Sequence, residues 1–202
     1  DSPGAMTVGK NSPYKSVQEV LAAAKSSPGK LSCGSSGIGA FSHLNCELLK
    51  SLTGTHIVHI PYRGAAPALV DLASGQFDFM IENYPSPQKL IDGGEVRLLA
   101  VTSANRFTLK PSAPTMVESG VAGHVMTAWV GLMAPKGTPT DIVNLLQREL
   151  ASAFKDPVVQ KRMNDMGVVP GGMAPQEFAA YLAAERDTYK DLAAKTGLKV
   201  DQ

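Results

Sequence analysis

Apolar residues at helical spacing mark two helices in the first quarter of the chain. A capping box at residues 16–19 precedes the first apolar run, and the Pro-Gly pair at 28–29 ends it. The second run ends at Gly54 and comprises Leu44, Leu48, Leu49 and Leu52. Between the two helices the pattern predicts a short strand at residues 30–34, followed by a glycine-rich connection.

The same alternation of strand and helix continues to about residue 104. Further strands are predicted at residues 56–60, 77–81 and 96–102. The helices between them begin near Pro67 and Pro87 and end at Gly75 and Gly93, with a loop at residues 82–84 before the second. Strands that alternate with helices at this spacing indicate an α/β fold with a parallel sheet covered on both faces.

The second half of the chain has a different organisation. Residues 105–123 are rich in proline and glycine and show little periodicity, which predicts a connection between lobes. A strand through Trp129 is predicted at 124–134, and three helices then begin at Pro139, Pro157 and Pro175, the last ending before Gly197. The predicted division is a ligand-binding lobe at 7–104, a connection at 105–123 and a carboxy-terminal segment at 124–202. The turn-rich residues 1–6 are expected to contribute no function.

Composition excludes several classes of function. The chain has 202 residues, 44% of them hydrophobic, and a formal net charge of +1. It therefore has enough apolar side chains for a core but lacks the basic excess of proteins that bind nucleic acid or other polyanions. No apolar run approaches the roughly 18 residues that span a bilayer. The two cysteines, Cys33 and Cys46, fit a disulfide or two buried thiols, and we favour the thiols.

The glycine-rich segment at residues 34–43 carries the candidate chemistry. It follows a predicted strand and opens a predicted helix, where first-turn N–H groups lack intrahelical partners and attract an anion. Its glycines allow close approach to a ligand, and Ser35, Ser36 and Ser42 add hydroxyl groups. A permissive turn without any ligand is the alternative.

Three more specific sequence motifs do not match this segment. Ala40 and Phe41 occupy the positions of the lysine and the hydroxyl residue of a phosphate-binding P-loop. Ser42 replaces the third glycine of a dinucleotide fingerprint, and Gly37 stands one place too early for a nucleophile elbow. We therefore expect no nucleotide cofactor, while a serine hydrolase is unsupported.

Several single residues have both a functional and a structural interpretation. His43 could donate to a carboxylate or bond the loop backbone, and Arg63 could bind a carboxylate or be solvated. Asn83 is a better ligand candidate than Glu82, whose charge opposes an anion. The single tryptophan, Trp129, could stack on a ligand or lie in a core, and we favour the core. His56 and His59 are expected to pack and cap a strand, and no spacing of metal ligands predicts a metal site.

An ordered set of motifs resembles the Bug-type receptors of the tripartite tricarboxylate transporter family. The set starts with the segment KLSCGSSGIG at 30–39, followed by SHL at 42–44, and continues with HIPYRG at 59–64. Later matches are APAL at 66–69, LAVTS at 99–103, PT at 114–115 with ESG at 118–120, and Trp129 with GL at 131–132 and AP at 134–135. The resemblance covers nearly the whole chain from about Thr7.

The resemblance implies a fold like the type II periplasmic binding proteins and a function in transport. It implies capture of a small carboxylate in the periplasm and delivery to the membrane components of the transporter, without catalysis. The family's amino-terminal units are not found in these residues, so we expect the second lobe plus the carboxy-terminal part of the first. The implied ligand-binding residues are Ser36, Gly37, Gly39, Ala40, Ser42, His43, Tyr62, Arg63, Gly64 and Asn83.

Departures from the family pattern keep other interpretations open. Ala40 stands where a hydroxyl residue is common, and Glu82 adds a negative charge, so the identity of the carboxylate stays undetermined. One alternative is an isolated lobe that binds no ligand and forms a domain-exchanged homodimer. The other is an α/β hydrolase that uses Ser36 or Ser42 with His43.

Overall fold

The computed structural model describes residues 1–197 as an α/β protein built on a mixed sheet. The strands are β1 (Ser2–Gly9), β2 (Ser32–Ser35), β3 (Val58–Pro61), β4 (Phe79–Asn83), β5 (Val96–Val101) and β6 (Thr127–Ala128). The helices are α1 (Val17–Ser26), α2 (Phe41–Thr53), α3 (Ala65–Ser74), α4 (Gln88–Asp92), α5 (Thr140–Ala153), α6 (Pro157–Asp165) and α7 (Pro175–Thr196).

The main sheet has the strand order β3-β2-β4-β1-β5. β2 is parallel to β3 and β4, whereas β1 is antiparallel to both of its neighbours, β4 and β5. The prediction of a purely parallel sheet is therefore wrong at one strand. The four other strands of the main sheet run in one direction, so their carboxyl ends share one edge.

Residues 1–6 do have a structural role, because most of them belong to β1, an interior strand of the main sheet. Every residue of β1 is buried. Met6 and Val8 pack into one core cluster, while Ala5 belongs to another. A strand covered on both faces shows no polar alternation, and Pro3, Gly4 and Gly9 give it the composition of a turn. These two properties explain why the sequence pattern concealed it.

The predicted helix ends are largely confirmed. The Ser16 hydroxyl oxygen caps α1 by accepting the N–H of Glu19 at 3.2 Å. Gly54, Gly75 and Gly197 follow α2, α3 and α7 in the left-handed conformation. In each case a local residue preference coincides with the helix end that the tertiary structure uses.

Two predicted boundaries are wrong. The strand expected at 124–134 is reduced to the two residues of β6, and Glu82 and Asn83 lie inside β4 rather than in a loop. Trp129 is half-buried and not part of a core cluster: its Nε1–H donates to Glu185 Oε2 at 3.1 Å, and its ring meets Phe178 edge-on.

Two apolar layers enclose the main sheet. The larger contains side chains of α1 and α2 and includes Cys33 and Cys46, which are both free buried thiols, as favoured from the sequence. The other layer packs α3 against Met80 and Phe77. Helices therefore cover both faces of the sheet, as predicted.

The carboxy-terminal segment has a more exposed surface. α7 packs against α2 and α5, and the backbone of Asp1 forms two hydrogen bonds with Val169, at 2.7 and 2.9 Å. One side of α5 carries large exposed apolar side chains, namely Ile142, Leu145, Leu146 and Leu150. No helix among residues 1–197 is long and apolar enough to cross a membrane.

Candidate ligand-binding site

The glycine-rich loop and the loop after β3 meet at the carboxyl edge of the sheet. Because β2 and β3 are parallel neighbours, the loops that follow them start side by side. The N–H of Tyr62 donates to the Ser35 carbonyl at 2.9 Å, and the N–H of Gly64 donates to the Ser36 carbonyl at 3.0 Å. The structure thus unites residues 36–43 with residues 62–64.

Two serine hydroxyls maintain the shape of the glycine-rich loop. Ser42 is fully buried, and its Oγ accepts the N–H of Ser36 at 2.9 Å. The hydroxyls of Ser36 and Ser42 also share a hydrogen bond at 2.9 Å. The two candidate nucleophiles therefore bond to each other, and neither bonds to His43 among the described contacts.

Two glycines make the chain reversal possible. Gly37 has a φ of 149° and Gly39 a φ of 75°, values that residues with a side chain rarely adopt. The reversal is closed by the Ala40 N–H, which donates to the Gly37 carbonyl at 3.2 Å. The need for glycine at these two positions is therefore conformational.

Helices α2 and α3 both begin at this edge without a side-chain cap. Ala40 is the N-cap of α2 and Gly64 that of α3, and neither provides a capping oxygen. Within residues 1–197, the amides of Phe41, Ser42 and His43 have no hydrogen-bond acceptor. Uncapped first-turn amides carry partial positive charge, and two neighbouring helix starts favour a bound anion.

His43 bonds the loop backbone, which is one of the two roles considered from the sequence. Its Nδ1 accepts the N–H of Gly39 at 3.0 Å, so the ring proton of the neutral form is on Nε2, which faces Glu47 Oε1 at 3.6 Å. Burial lowers the pKa of His43, an effect opposed by the Glu47 carboxylate. A neutral imidazole at this position preserves the bond to Gly39.

His59 lies directly against His43. The two rings stack with centroids 3.7 Å apart and an interplanar angle of 5°. Burial, followed by the proximity of His43, lowers the pKa of His59 to about 4. His59 Nε2 also shares a 2.6 Å hydrogen bond with the Ser35 hydroxyl. The role of Ser35 and His59 in supporting the loop could not be predicted, because no local pattern distinguishes Ser35 from Ser36 or pairs it with a residue on β3.

The candidate ligand-binding residues outside the glycine-rich loop have different environments. The Tyr62 hydroxyl donates to Asp71 Oδ2 at 2.9 Å, so it holds α3, while Arg63 is exposed. Asn83 is half-buried at the carboxyl end of β4, and its Oδ1 accepts the Ser86 hydroxyl at 2.7 Å. Within residues 1–197, no hydrogen bond joins Arg63 or Asn83 to the glycine-rich loop.

Glu82 is removed from solvent rather than presented to it. Its side chain is buried, and Oε1 accepts the N–H of Asn83 at 2.9 Å. Oε2 has no partner among the described residues. Those residues also contain no group of three histidine, cysteine or acidic side chains arranged to hold a metal ion.

Comparisons with known proteins agree with this architecture. Residues 1–198 match the family model described as "Tripartite tricarboxylate transporter family receptor". Protein BugT of Bordetella pertussis is 34% identical over 185 residues, which are 92% of this chain and 57% of BugT. The chain spans only that part of its relative's length.

Two solved structures of Rhodopseudomonas palustris proteins are similar throughout. Rpa4515 with adipate has a TM-score of 0.93 and 36% identity, covering 98% of this chain and 66% of that one. MatC with bound malate has a TM-score of 0.86 and 29% identity, covering 95% and 66%. The fold is that of the periplasmic binding-protein type of solute receptor. Because the family model matches nearly the whole of this chain, residues 1–198 of 202, the chain belongs to the tripartite tricarboxylate transporter receptor family.

Proposed function

We propose that this chain forms part of a periplasmic receptor that captures a small carboxylate and delivers it to the membrane components of a tripartite tricarboxylate transporter. The observation that carries the proposal is the pair of uncapped helix starts, α2 and α3, joined by backbone hydrogen bonds at one edge of the sheet. Free amides there provide donors for carboxylate oxygens.

The charge distribution supports a carboxylate over a phosphorylated ligand. The one lysine or arginine in the two loops is Arg63, which is exposed. The charge of Lys50, on α2, is paired with Glu47 at 2.6 Å. A site of amides and hydroxyls suits a ligand of low charge, whereas phosphate recognition commonly adds Lys or Arg. Two of the similar proteins, Rpa4515 and MatC, have structures with adipate and malate, which are both small dicarboxylates.

The proposed ligand-binding residues are those that the resemblance to the family implies. They are Ser36, Gly37, Gly39, Ala40, Ser42, His43, Tyr62, Arg63, Gly64 and Asn83. We assign residues 7–104 to the ligand-binding lobe and add residues 4–6 to it, because they pair with β4 and β5. Residues 105–123 form the proposed connection, and residues 124–202 the first-lobe portion. Of these, residues 198–202 lie outside the described part. The receptor function requires neither catalysis nor a cofactor, and the mutual bond of Ser36 and Ser42 offers a hydrolase no activated nucleophile.

Isothermal titration with a panel of carboxylates tests the proposal. We expect binding of adipate, malate or another small carboxylate, and no binding of the corresponding uncharged diamide. Gly37→Ala is expected to weaken binding at least tenfold, since its φ of 149° strains any side chain. Gly54→Ala is the matched control, because Gly54 also has a positive φ, 62°, but lies at the far end of α2. A folded chain that binds no carboxylate would contradict the proposal.

A further inference from the structure

Strand β1 belongs to the main sheet and to a second, two-stranded sheet that its first two residues form with β6, and it passes from one to the other. Ser2 and Pro3 pair with β6, whereas Gly4 to Gly9 pair with β4 and β5. The chain makes a second passage between the sheets where the segment after residue 123 returns to β6. Both passages meet at Thr102, which directly follows β5 and is fully buried.

Thr102 binds both passages through its backbone and its hydroxyl. Its N–H donates to the Gly4 carbonyl at 2.9 Å, and its Oγ1 accepts the Gly4 N–H at 2.8 Å. Its carbonyl accepts the Met126 N–H at 3.1 Å, and its hydroxyl donates to the Met126 carbonyl. A single threonine thus satisfies all four backbone polar groups of Gly4 and Met126. Without the hydroxyl, two of these buried groups would have no partner.

Helix α2 contacts the same crossing. A β-carbon on Gly4 would lie 2.6 Å from Thr102 Oγ1 and 3.2 Å from the ring of Phe41, the first residue of α2. No side chain therefore fits between the crossing strand and the start of this helix. The start of α2 is also the end of the glycine-rich loop.

Asn45, one turn further along α2, holds the returning passage. Its Nδ2 donates to the Phe41 carbonyl at 3.0 Å and lies 3.3 Å from Met126 Sδ. Its Oδ1 and His124 Nε2 share a hydrogen bond at 3.1 Å. Asn45 and His124 are both fully buried. The first turn of α2 and residues 124–126 are therefore connected by polar contacts that water does not reach.

We propose that Thr102 and Asn45 are positioning residues that couple the crossing between the two sheets to the first turn of α2, and so to the ligand-binding loop. The inference rests on the proposed function. A rotation of one sheet against the other moves residues 124–126 relative to Asn45 and thereby shifts the free amides of Phe41, Ser42 and His43. A ligand that orders these amides must then favour one arrangement of the crossing, because coupling between two sites is reciprocal.

Hydrogen exchange without ligand tests the coupling independently of the proposed function. Thr102→Val removes the hydroxyl at nearly constant volume, and Thr102→Ser retains it as the matched control. We expect Thr102→Val and Asn45→Leu to accelerate exchange in residues 41–49 while α3 exchanges at the wild-type rate. Thr102→Ser is expected to exchange like the wild type. Unchanged exchange in residues 41–49 of both Thr102→Val and Asn45→Leu would overturn the inference.

Titration with adipate separates coupling from a purely structural role. Trp129 is the only tryptophan and directly follows β6, so its fluorescence reports on the far side of the crossing. If wild-type protein binds adipate, we expect a change in that fluorescence on binding, which Thr102→Val loses together with about tenfold in affinity. Wild-type affinity and a wild-type fluorescence change in Thr102→Val would refute the coupling. Failure of the wild type to bind any carboxylate would instead refute the proposed function.

Discussion

Acidification should destabilise the protein through His124, a buried histidine. Its Nδ1 has no hydrogen-bond partner among residues 1–197, and burial lowers its pKa from 6.5 to about 4. A proton on Nδ1 would therefore lie in a dry site without an acceptor. The unfolded chain binds that proton below about pH 6.5, whereas the folded chain resists it until about pH 4. The stabilisation is complete above pH 6.5 and is lost as the pH falls towards 4.

The size of the effect follows from these two pKa values. The pKa of His124 is 6.5 in the unfolded chain and about 4 in the folded one. This difference lowers the free energy of unfolding of the protein by roughly 2 kcal/mol between pH 7 and pH 5. His59, whose pKa is also lowered to about 4, acts in the same direction. The wild type should therefore lose more than His124 alone explains.

Urea unfolding followed by Trp129 fluorescence at pH 7, 6 and 5 measures this loss. We expect His124→Gln to have a clearly shallower dependence of unfolding free energy on pH, with His59 and His43, whose pKa values burial also lowers, contributing to the remainder. His56→Gln, at an exposed histidine, serves as the matched control and should keep the wild-type dependence. A His124→Gln variant with the same pH dependence as the wild type would refute the reasoning.

Three further predictions concern packing, the loop and association. Gly34→Ala would place a methyl group onto the Phe77 ring, and we expect a loss of about 1–3 kcal/mol in urea unfolding; a loss below that of Gly54→Ala would contradict this. Ser42→Ala deprives the Ser36 N–H of its acceptor and should lower stability by about 1–2 kcal/mol, as measured by thermal unfolding, whereas Ser86→Ala should have little effect. The exposed apolar side of α5 predicts a homodimer or larger species in analytical ultracentrifugation that Leu146→Lys dissociates, and a wild-type monomer at high concentration would contradict it.

Much of the local structure could be predicted because its signals are local. Capping residues, glycines beyond helix ends and apolar spacing located α1, α2, α3 and α7 within a few residues. The glycine-rich loop was found for the same reason, since a strand, a set of glycines and a helix start are contiguous. The ordered motifs also indicated the receptor family, and the family model confirmed it.

The arrangement of the site depended on contacts between distant residues. The sequence contains no local signal that Ser36 and Gly64 bond to each other, or that His59 stacks on His43. Each contact follows from the parallel pairing of β2 with β3, which brings together segments more than twenty residues apart. Sheet register is a cooperative property of the whole core, so the pattern of any one segment does not determine it.

The sequence by itself determined the helices, the position of the glycine-rich loop and the family to which the chain belongs. Tertiary structure alone decided that residues 2–9 form a buried antiparallel strand inside the main sheet and that Thr102 joins both passages between the sheets. The physical reason is that helix signals come from neighbouring residues. A buried strand and a buried hydroxyl acquire their roles only from the partners that folding brings to them.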